Sequence, residues 1–279
     1  MSDNEFLPPN ARPGPFTVES LSKDLRNLGV KAGSTLIVHS SLSALGYVVG
    51  GARAVVMALT EVLGPEGTLV VPTHSGELSD PMNWSHPPIP EDWWPTVREA
   101  MPAFDPLLTT TRQMGAIAEM VRHLPGTARS SHPRVSFAAR GRHAELITHE
   151  HDLVECFGEH SPLARLYDLD AHIVLLGVGH ANNTSLHLGE SRAPAKRPTI
   201  TEGAPMMVQG RREWVSYETR DFDADDFEQM GAALKKAGLV SEGLVGAGPS
   251  LIMSVKPVVD FATNWFKENR TWLHPPPSS

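Results

Sequence analysis

The sequence reads as an α/β protein, a three-layer α/β/α sandwich with a mixed central sheet. Three observations point there. Helix-period and strand-like segments alternate from Thr17 onward. The runs "STLIVH", "GTLVVP" and "AHIVLLGVG" are short and almost wholly apolar, the pattern of strands buried on both faces. The tail then breaks the alternation with a hairpin signal followed by two helical patterns, so parallel and antiparallel connections must coexist.

Each element has a local reason. In "TVESLSKDLRNLGV" Thr17 is the expected N-cap, and Leu21, Leu25 and Leu28 recur at helical spacing. After "STLIVH", a second helix beginning near Gly51 is marked by Val55, Leu59, Val62 and Leu63 and closes at Gly64; "GTLVVP" is the next strand. Residues 73–112 interrupt this rhythm. The stretch "DPMNWSHPPIPEDWWP" has too many breakers for a helix and too many aromatics for a slack linker, which predicts a long ordered loop or lid. Regularity returns with "MGAIAEMVRHL" as a helix, "RVSFAA" as a strand, "RHAELITH" as a short helix and "AHIVLLGVG" as an inner strand. The sequence "MMVQGRREWVSYE" predicts a hairpin about Gln209 and Gly210, and "DADDFEQMGAALKKAG" and "PSLIMSVKPVVDFATNW" predict helices. The expected organisation is a flexible leader over 1–16, one domain over 17–268 carrying the insertion at 73–112, and a flexible tail over 269–279.

Composition narrows the function. At 279 residues and 41% hydrophobic content the chain can bury a substantial core. Its start lacks the basic-then-apolar pattern of a secretory signal, and no long apolar run suits a membrane span, so a cytoplasmic protein is expected. The single Cys156 excludes an internal disulfide, and the thirteen His fall in no zinc-binding spacing; no metal is expected. A net charge of -8 disfavours nucleic acid and favours a small cationic ligand.

Four stretches could carry chemistry. In "HSSLSALGYVVGG" the backbone amides from Ser40 to Gly51, with the hydroxyls of Ser40, Ser41 and Ser43, lie where a strand yields to a helix N-terminus; they suit phosphates or amide carbonyls, or else form a plain polar turn. Arg129, Arg134, Arg140 and Arg142 cluster in "RSSHPRVSFAARGRHAE", beside Ser130, either for a nucleotide's phosphates or as a solvated face. In "GVGHANNTSLHLGESR" an apolar strand ends in small residues, and a helix capped by Asn183 or Thr184 would carry His187 in its first turn with Glu190 three residues on, along one face. The helix end favours the neutral ring and Glu190 the imidazolium, the balance a general base needs. In "DFDADDFE" the carboxylates of Asp221, Asp223, Asp225, Asp226 and Glu228 suit a helix start and could also dock a polyamine-like substrate.

Taken together, "LIVHSSLSALGYVVGG", "GTLVVPTHS", "MGAIAEMVRHLPGTARSSHPRVSFAARG", "LLGVGHANNTSLHLGE" and "DDFEQMG…GLVGAGPS" resemble the aminoglycoside 3-N-acetyltransferases over about residues 17–266. The resemblance implies acetyl transfer from acetyl-CoA, used as cosubstrate, to the 3-amino group of a deoxystreptamine ring, on a fold unlike the Gcn5-type acetyltransferases. It assigns His187 as catalytic base with Glu190 steering the ring or contacting substrate, and sets His39 near the reaction centre. It assigns the cofactor to Ser40, Ser41, Leu42, Gly50 and Gly51, and with them to Ser43, Gly46, Val48, Val49, Arg129 and Ser130. The acceptor, a polycationic aminoglycoside, falls to Glu190, Asp223, Asp226, Thr73 and His74. The resemblance weakens over "THSGELSDPMNWSHPPIPEDWWP", the segment expected to shape the acceptor pocket. The chain is expected to act as a monomer or homodimer, without nucleic acid or membrane.

Base-assisted attack would be direct, with loop or helix-start amides stabilising the oxyanion. Three alternatives stand beside it: a covalent acyl enzyme on Cys156 with His160, or on Ser40 or Ser41 with His39; the same transfer to a non-antibiotic amine; and a coenzyme A-binding protein without turnover.

Overall fold

The computed structural model describes residues 14–85, 87–194 and 198–270. It opens with α1 (Val18–Leu28), β1 (Thr35–Ser40), α2 (Gly51–Leu63) and β2 (Thr68–Pro72). The middle of the chain adds α3 (Trp94–Ala100), α4 (Gly115–Arg122), β3 (Ala128–Arg129), β4 (Phe137–Gly141), α5 (Ala144–Thr148), α6 (Pro162–Asp168), β5 (His172–Leu176) and α7 (Leu186–Arg192). Then follow β6 (Thr199–Val208), β7 (Arg211–Arg220), α8 (Phe227–Lys236), β8 (Ser241–Val245), β9 (Gly248–Ser254) and α9 (Val255–Asn269).

Seven of the strands make one mixed sheet in the order β3-β4-β2-β1-β5-β9-β8, while β6 and β7 pair as a separate hairpin about Gln209 and Gly210. At the centre β1 is parallel to both β2 and β5; the outer pairings are antiparallel. Side chains alternate across the sheet with period two. Leu36 and Val38 of β1 therefore join Leu21, Leu25, Leu59, Ile117 and Val121 under α1, α2 and α4. Ile37 points the other way, into a core with Ile147, Leu166, Leu186, Phe227 and Phe266 from α5 to α9. Those two cores are the helical layers of the sandwich. The three parallel strands end on the same side, so their loops share one crevice.

Local signals set the element ends. The Thr17 side chain accepts from the Ser20 amide, with Ser20 returning the bond, and Gly29 and Gly64 stop α1 and α2 with φ of 114° and 66°. The insertion at 73–112 is built around α3 and two 3₁₀ turns, Pro81–Asn83 and Glu91–Trp93. Arg98 clamps it with two bonds to Asp80, at 3.1 and 2.7 Å, and Phe104 donates to the Pro205 carbonyl of the hairpin.

Three expectations need correction. The stretch "PSLIMSV" is not helical: it is β9, paired with β5 on one side and β8 on the other, and the helix starts at Val255. An apolar run that passes from strand to helix without a breaker hides that boundary. The leader is not slack up to residue 16, because Phe16 is buried and bridges Val48; residues 1–13 lie outside the described residues. Nor does the tail begin at residue 269: α9 includes Asn269, and Arg270 is buried, whereas 271–279 lie outside the described residues.

Helices α7 and α9 approach closely at Gly189, where an added Cβ would sit 2.7 Å from the Ala262 Cβ and 3.0 Å from the Val259 carbonyl oxygen. Gly189→Ala is expected to cost about 1–3 kcal/mol in denaturant unfolding, the usual price of overpacking a tight contact. An unchanged midpoint would mean that the two helices part freely.

Candidate active site

The crevice at the ends of the parallel strands holds a cavity of about 220 Å³ lined by His39 and Ser40 of β1, His74 after β2, Gln113 and Met114 before α4, and His187 of α7. A wider cleft of about 820 Å³ joins it at His74, Gln113 and Met114. The insertion supplies most of that cleft, including Glu77, Trp84, Pro87, Ile89, Met101 and Pro102.

His187 stands in the first turn of α7, whose N-cap position is Ser185 rather than Asn183 or Thr184. Three aromatic rings fix its plane. Phe157 stacks on it at 4.7 Å and 8°, and Phe222 and Phe227 lie at 5.5 and 4.8 Å. Its Nδ1 meets the Glu190 Oε2 at 2.5 Å, one helical turn on. With Nδ1 so engaged, Nε2 is the nitrogen left to face a ligand. Glu190 has no solvent exposure. Its other oxygen accepts from Arg270 Nη1 at 2.5 Å, and Arg270 in turn grips both oxygens of Asp226, at 2.7 and 2.6 Å.

The remaining cavity histidines are neutral. Burial pushes His39 down to about 3 from the ordinary 6.5; for His74, also at about 3, burial leads and the neighbouring imidazoles add to it. The Nε2 atoms of both rings are buried without a hydrogen-bond partner.

The serine-rich turn reaches this crevice through Ser40 alone. Ser41 and Ser43 pair their hydroxyls at 3.1 Å, and Leu42 packs against the α1/α2 core. Gly46, Gly50 and Gly51 adopt φ of 79°, 87° and 58°, which carries the chain into α2, while Tyr47 and Val49 point outward and Val48 is buried. Gly177, just past β5, lets the turn approach: a Cβ there would sit 2.5 Å from the Ala44 Cβ.

Several candidates stand elsewhere. The arginine cluster is scattered, because β4 runs antiparallel to β2 and carries Arg140 to the opposite end of the sheet, level with Leu69. Arg142 pairs with Glu66 and Arg134 with Glu202. Arg129 spends its guanidinium on protein acceptors, among them the Thr73 and Thr109 carbonyls and the hydroxyls of Ser75 and Ser136, which corrects its expected role toward phosphates. Ser130 is buried, bonded to His151 and to the Phe137 amide, and Thr73 is likewise buried. Asp226 is committed to Arg270, and Glu228 accepts from the Ala181 amide; Asp221, Asp223 and Asp225 stay exposed. Cys156 is buried, its thiol pushed up to about 12 by burial, and His160 is exposed, so the pair forms no activated nucleophile. Among the described residues no His, Cys, Asp and Glu group could hold a metal, and no helix is long and apolar enough to cross a membrane.

Sequence reasoning missed Arg270 and the ring-holding Phe157 and Phe222. Arg270 lies 80 residues from its carboxylate partner and had no local signal.

A family model described as "Aminoglycoside 3-N-acetyltransferase" matches residues 37–267. The SPbeta prophage-derived aminoglycoside N(3')-acetyltransferase-like protein YokD of Bacillus subtilis is 43% identical over 256 residues, covering 91% of this chain and 94% of its own. A structure of AAC-IIIb with CoASH superposes with a TM-score of 0.80 at 29% identity, over 90% of this chain and 96% of that one. A structure of AAC-VIa bound to sisomicin gives 0.83 at 28% identity, over 91% and 98%.

Two outcomes are expected. His39 and His74 titrate near 3 when folded and near 6.5 when unfolded, so between those values the unfolded chain binds more protons. Stability is therefore full above pH 6.5 and falls on acidification, by up to about 1.4 kcal/mol per pH unit for each ring. Urea unfolding from pH 7.5 to 5 measures this, and His74→Gln should flatten the slope. Cys156→Ala should keep turnover within about twofold, since a buried, protonated thiol takes no part in the chemistry; a large loss would restore the acyl-cysteine route.

Proposed function

As the chain belongs to the aminoglycoside 3-N-acetyltransferase family, we propose that it transfers the acetyl group of acetyl-CoA to the 3-amino group of a 2-deoxystreptamine aminoglycoside, with His187 as general base. The observation that carries this reading is the ring of His187, tethered through Nδ1 to a buried carboxylate at 2.5 Å while the ring opens into the cavity at the strand ends.

An amine attacks a thioester only through its free lone pair, so the ammonium proton must go first. That proton goes to solvent before attack, and Nε2 of His187 takes the second N–H proton as the new N–C bond forms. Glu190 stabilises the resulting imidazolium through Nδ1–H, and the stacked Phe157 holds the ring in the plane that allows both contacts. The C–S bond then breaks and the coenzyme leaves as its thiol, recovering the proton from His187. Attack is direct, and holding both substrates in one crevice supplies the orientation term.

Acetyl-CoA fits the turn from Ser40 to Gly51, which leads into the N-terminus of α2, a helix of 13 residues, and carries the paired hydroxyls of Ser41 and Ser43. The CoASH found with AAC-IIIb supports a coenzyme A cosubstrate. The wider cleft is left for the acceptor. Asp221, Asp223 and Asp225 add to the negative field that draws a polycation, and the sisomicin held by AAC-VIa supports that substrate class.

A second reading keeps the chemistry and changes the acceptor. The wider cleft presents a single acid among its described lining residues, Glu77, which pairs with Arg112 at 3.1 Å; Trp84, Pro87, Ile89, Met101 and Pro102 make much of the rest. Such a wall suits a less cationic amine.

His187→Ala should bind acetyl-CoA unchanged by calorimetry and lose at least about 100-fold in kcat, the usual worth of a general base. Retained turnover would remove His187 from the mechanism. A panel of aminoglycosides and simpler amines, followed by thiol release and by locating the acetyl group on the product, separates the two acceptors. Failure of every deoxystreptamine compound, with turnover of another amine, selects the second.

A further inference from the structure

We propose that Arg270 is a positioning residue for the His187–Glu190 pair, acting from outside the cavity through Glu190 and itself anchored by Asp226. The inference rests on the reading of His187 as base.

Four charged or titratable side chains lie in series. His187 Nδ1 meets Glu190 Oε2 at 2.5 Å, and Glu190 Oε1 accepts from Arg270 Nη1 at 2.5 Å. Arg270 then closes a two-pronged contact with Asp226 through Nε at 2.7 Å and Nη2 at 2.6 Å. Nη2 also reaches the Asp223 carbonyl at 2.8 Å, and the guanidinium lies 4.1 Å over the Phe266 ring. The Arg270 side chain is 4% exposed and the Glu190 side chain has no exposure. This is not a surface ion pair, whose worth is small. It joins three parts of the chain, α7, the segment before α8, and the residue that caps α9.

The arrangement answers a physical need. A fully buried carboxylate tends to take a proton, and a protonated Glu190 could no longer stabilise an imidazolium. Arg270 opposes that tendency. Burial works against its own charge, but Asp226 and then Glu190 outweigh burial and hold Arg270 above its ordinary pKa. The fork to Asp226 fixes where the remaining donor points, and so which oxygen of Glu190 is left for His187.

An imidazolium beside the Glu190 carboxylate makes a pair with no net charge, and a neutral ring beside it leaves one negative charge. A positive neighbour favours the second form, which is the form that acts as base. The other charged or titratable groups around the pair are His39 and His74 on the cavity wall, both neutral, Asp223, whose amide donates to Glu190 Oε1 at 3.4 Å, Glu228 on α8, which accepts from the Ala181 amide, and Arg220, which bonds Glu155 and the Ser191 carbonyl.

The test is the pH dependence of kcat/KM in three variants of the full chain, each checked for folding by thermal melting. Arg270→Met should move the acidic limb to higher pH by about one unit or more and lower kcat at least about tenfold, with KM for acetyl-CoA little changed. Arg270→Lys keeps the charge without the fork, so the limb should stay within about 0.3 unit of wild type while kcat falls less. Asp226→Asn removes a negative neighbour, so its limb should stay or move to lower pH. If Arg270→Met loses rate with no shift of the limb, or if Lys and Met shift it equally, the role is structural and the inference fails. Should Arg270→Met not fold, the other two variants decide by themselves: an unmoved limb in Arg270→Lys with a downward shift in Asp226→Asn supports the inference, and an upward shift in Asp226→Asn overturns it. Loss of the underlying base assignment reads out separately, in His187→Ala.

Discussion

A carboxylate with no access to water sits between an imidazole and a guanidinium, and the rest of the site depends on it. Burying an unpaired ion costs several kcal/mol even after relaxation, so Glu190 is tolerable only because charged or polar donors reach both of its oxygens. Removing one partner of such a pair typically costs about 3–5 kcal/mol, because the other charge stays behind. That cost makes the geometry stiff. A ring held by a stiff carboxylate and stacked on Phe157 presents the same nitrogen to every ligand, which is what a base needs before any substrate arrives.

The fold supplies the distances. Three parallel strands end together, and their loops bring His39, His74 and His187 around one cavity although they are far apart in sequence. Small residues let the supports close in. Gly189 brings α7 onto α9, and so brings Glu190 within reach of Arg270; Gly231 of α8 leaves room for the His180 ring, where an added Cβ would sit 2.2 Å from the ring carbon Cδ2. Neutral histidines leave the far wall of the cavity without positive charge. The insertion then walls the wider cleft with proline, tryptophan and methionine, and the Arg98 clamp on Asp80 ties it together.

Much of this was legible in the sequence because the signals are local. A capping threonine, glycines at helix ends and continuous apolar runs gave α1, β1, α2, β2 and β5 in order, and His187 with Glu190 lay on one helical turn. Where the signal is long-range it was lost. The strand β9 hides in an apolar run continuous with α9, and only pairing with β5 and β8 makes it extended. Arg270 looked like the start of a loose tail, since nothing near it says that its fork closes on Asp226, 44 residues upstream. The arginines from 129 to 142 looked like one patch, but strand direction sends them to different ends of the sheet. Proximity in sequence predicted proximity in space there, and an antiparallel edge strand defeated it.

In the proposed reaction a sugar amine gives up a proton to Nε2 of His187 while the coenzyme's sulfur lies in the same crevice. A crystal structure of the dead-end complex with both coenzyme A and an aminoglycoside bound tests it most directly. The account predicts the 3-amino nitrogen within about 2.6–3.2 Å of Nε2, with Glu190 still on Nδ1 and the thiol close enough to mark the acetyl position. An amine bound out of reach of His187, beside some other group able to take its proton, would contradict it.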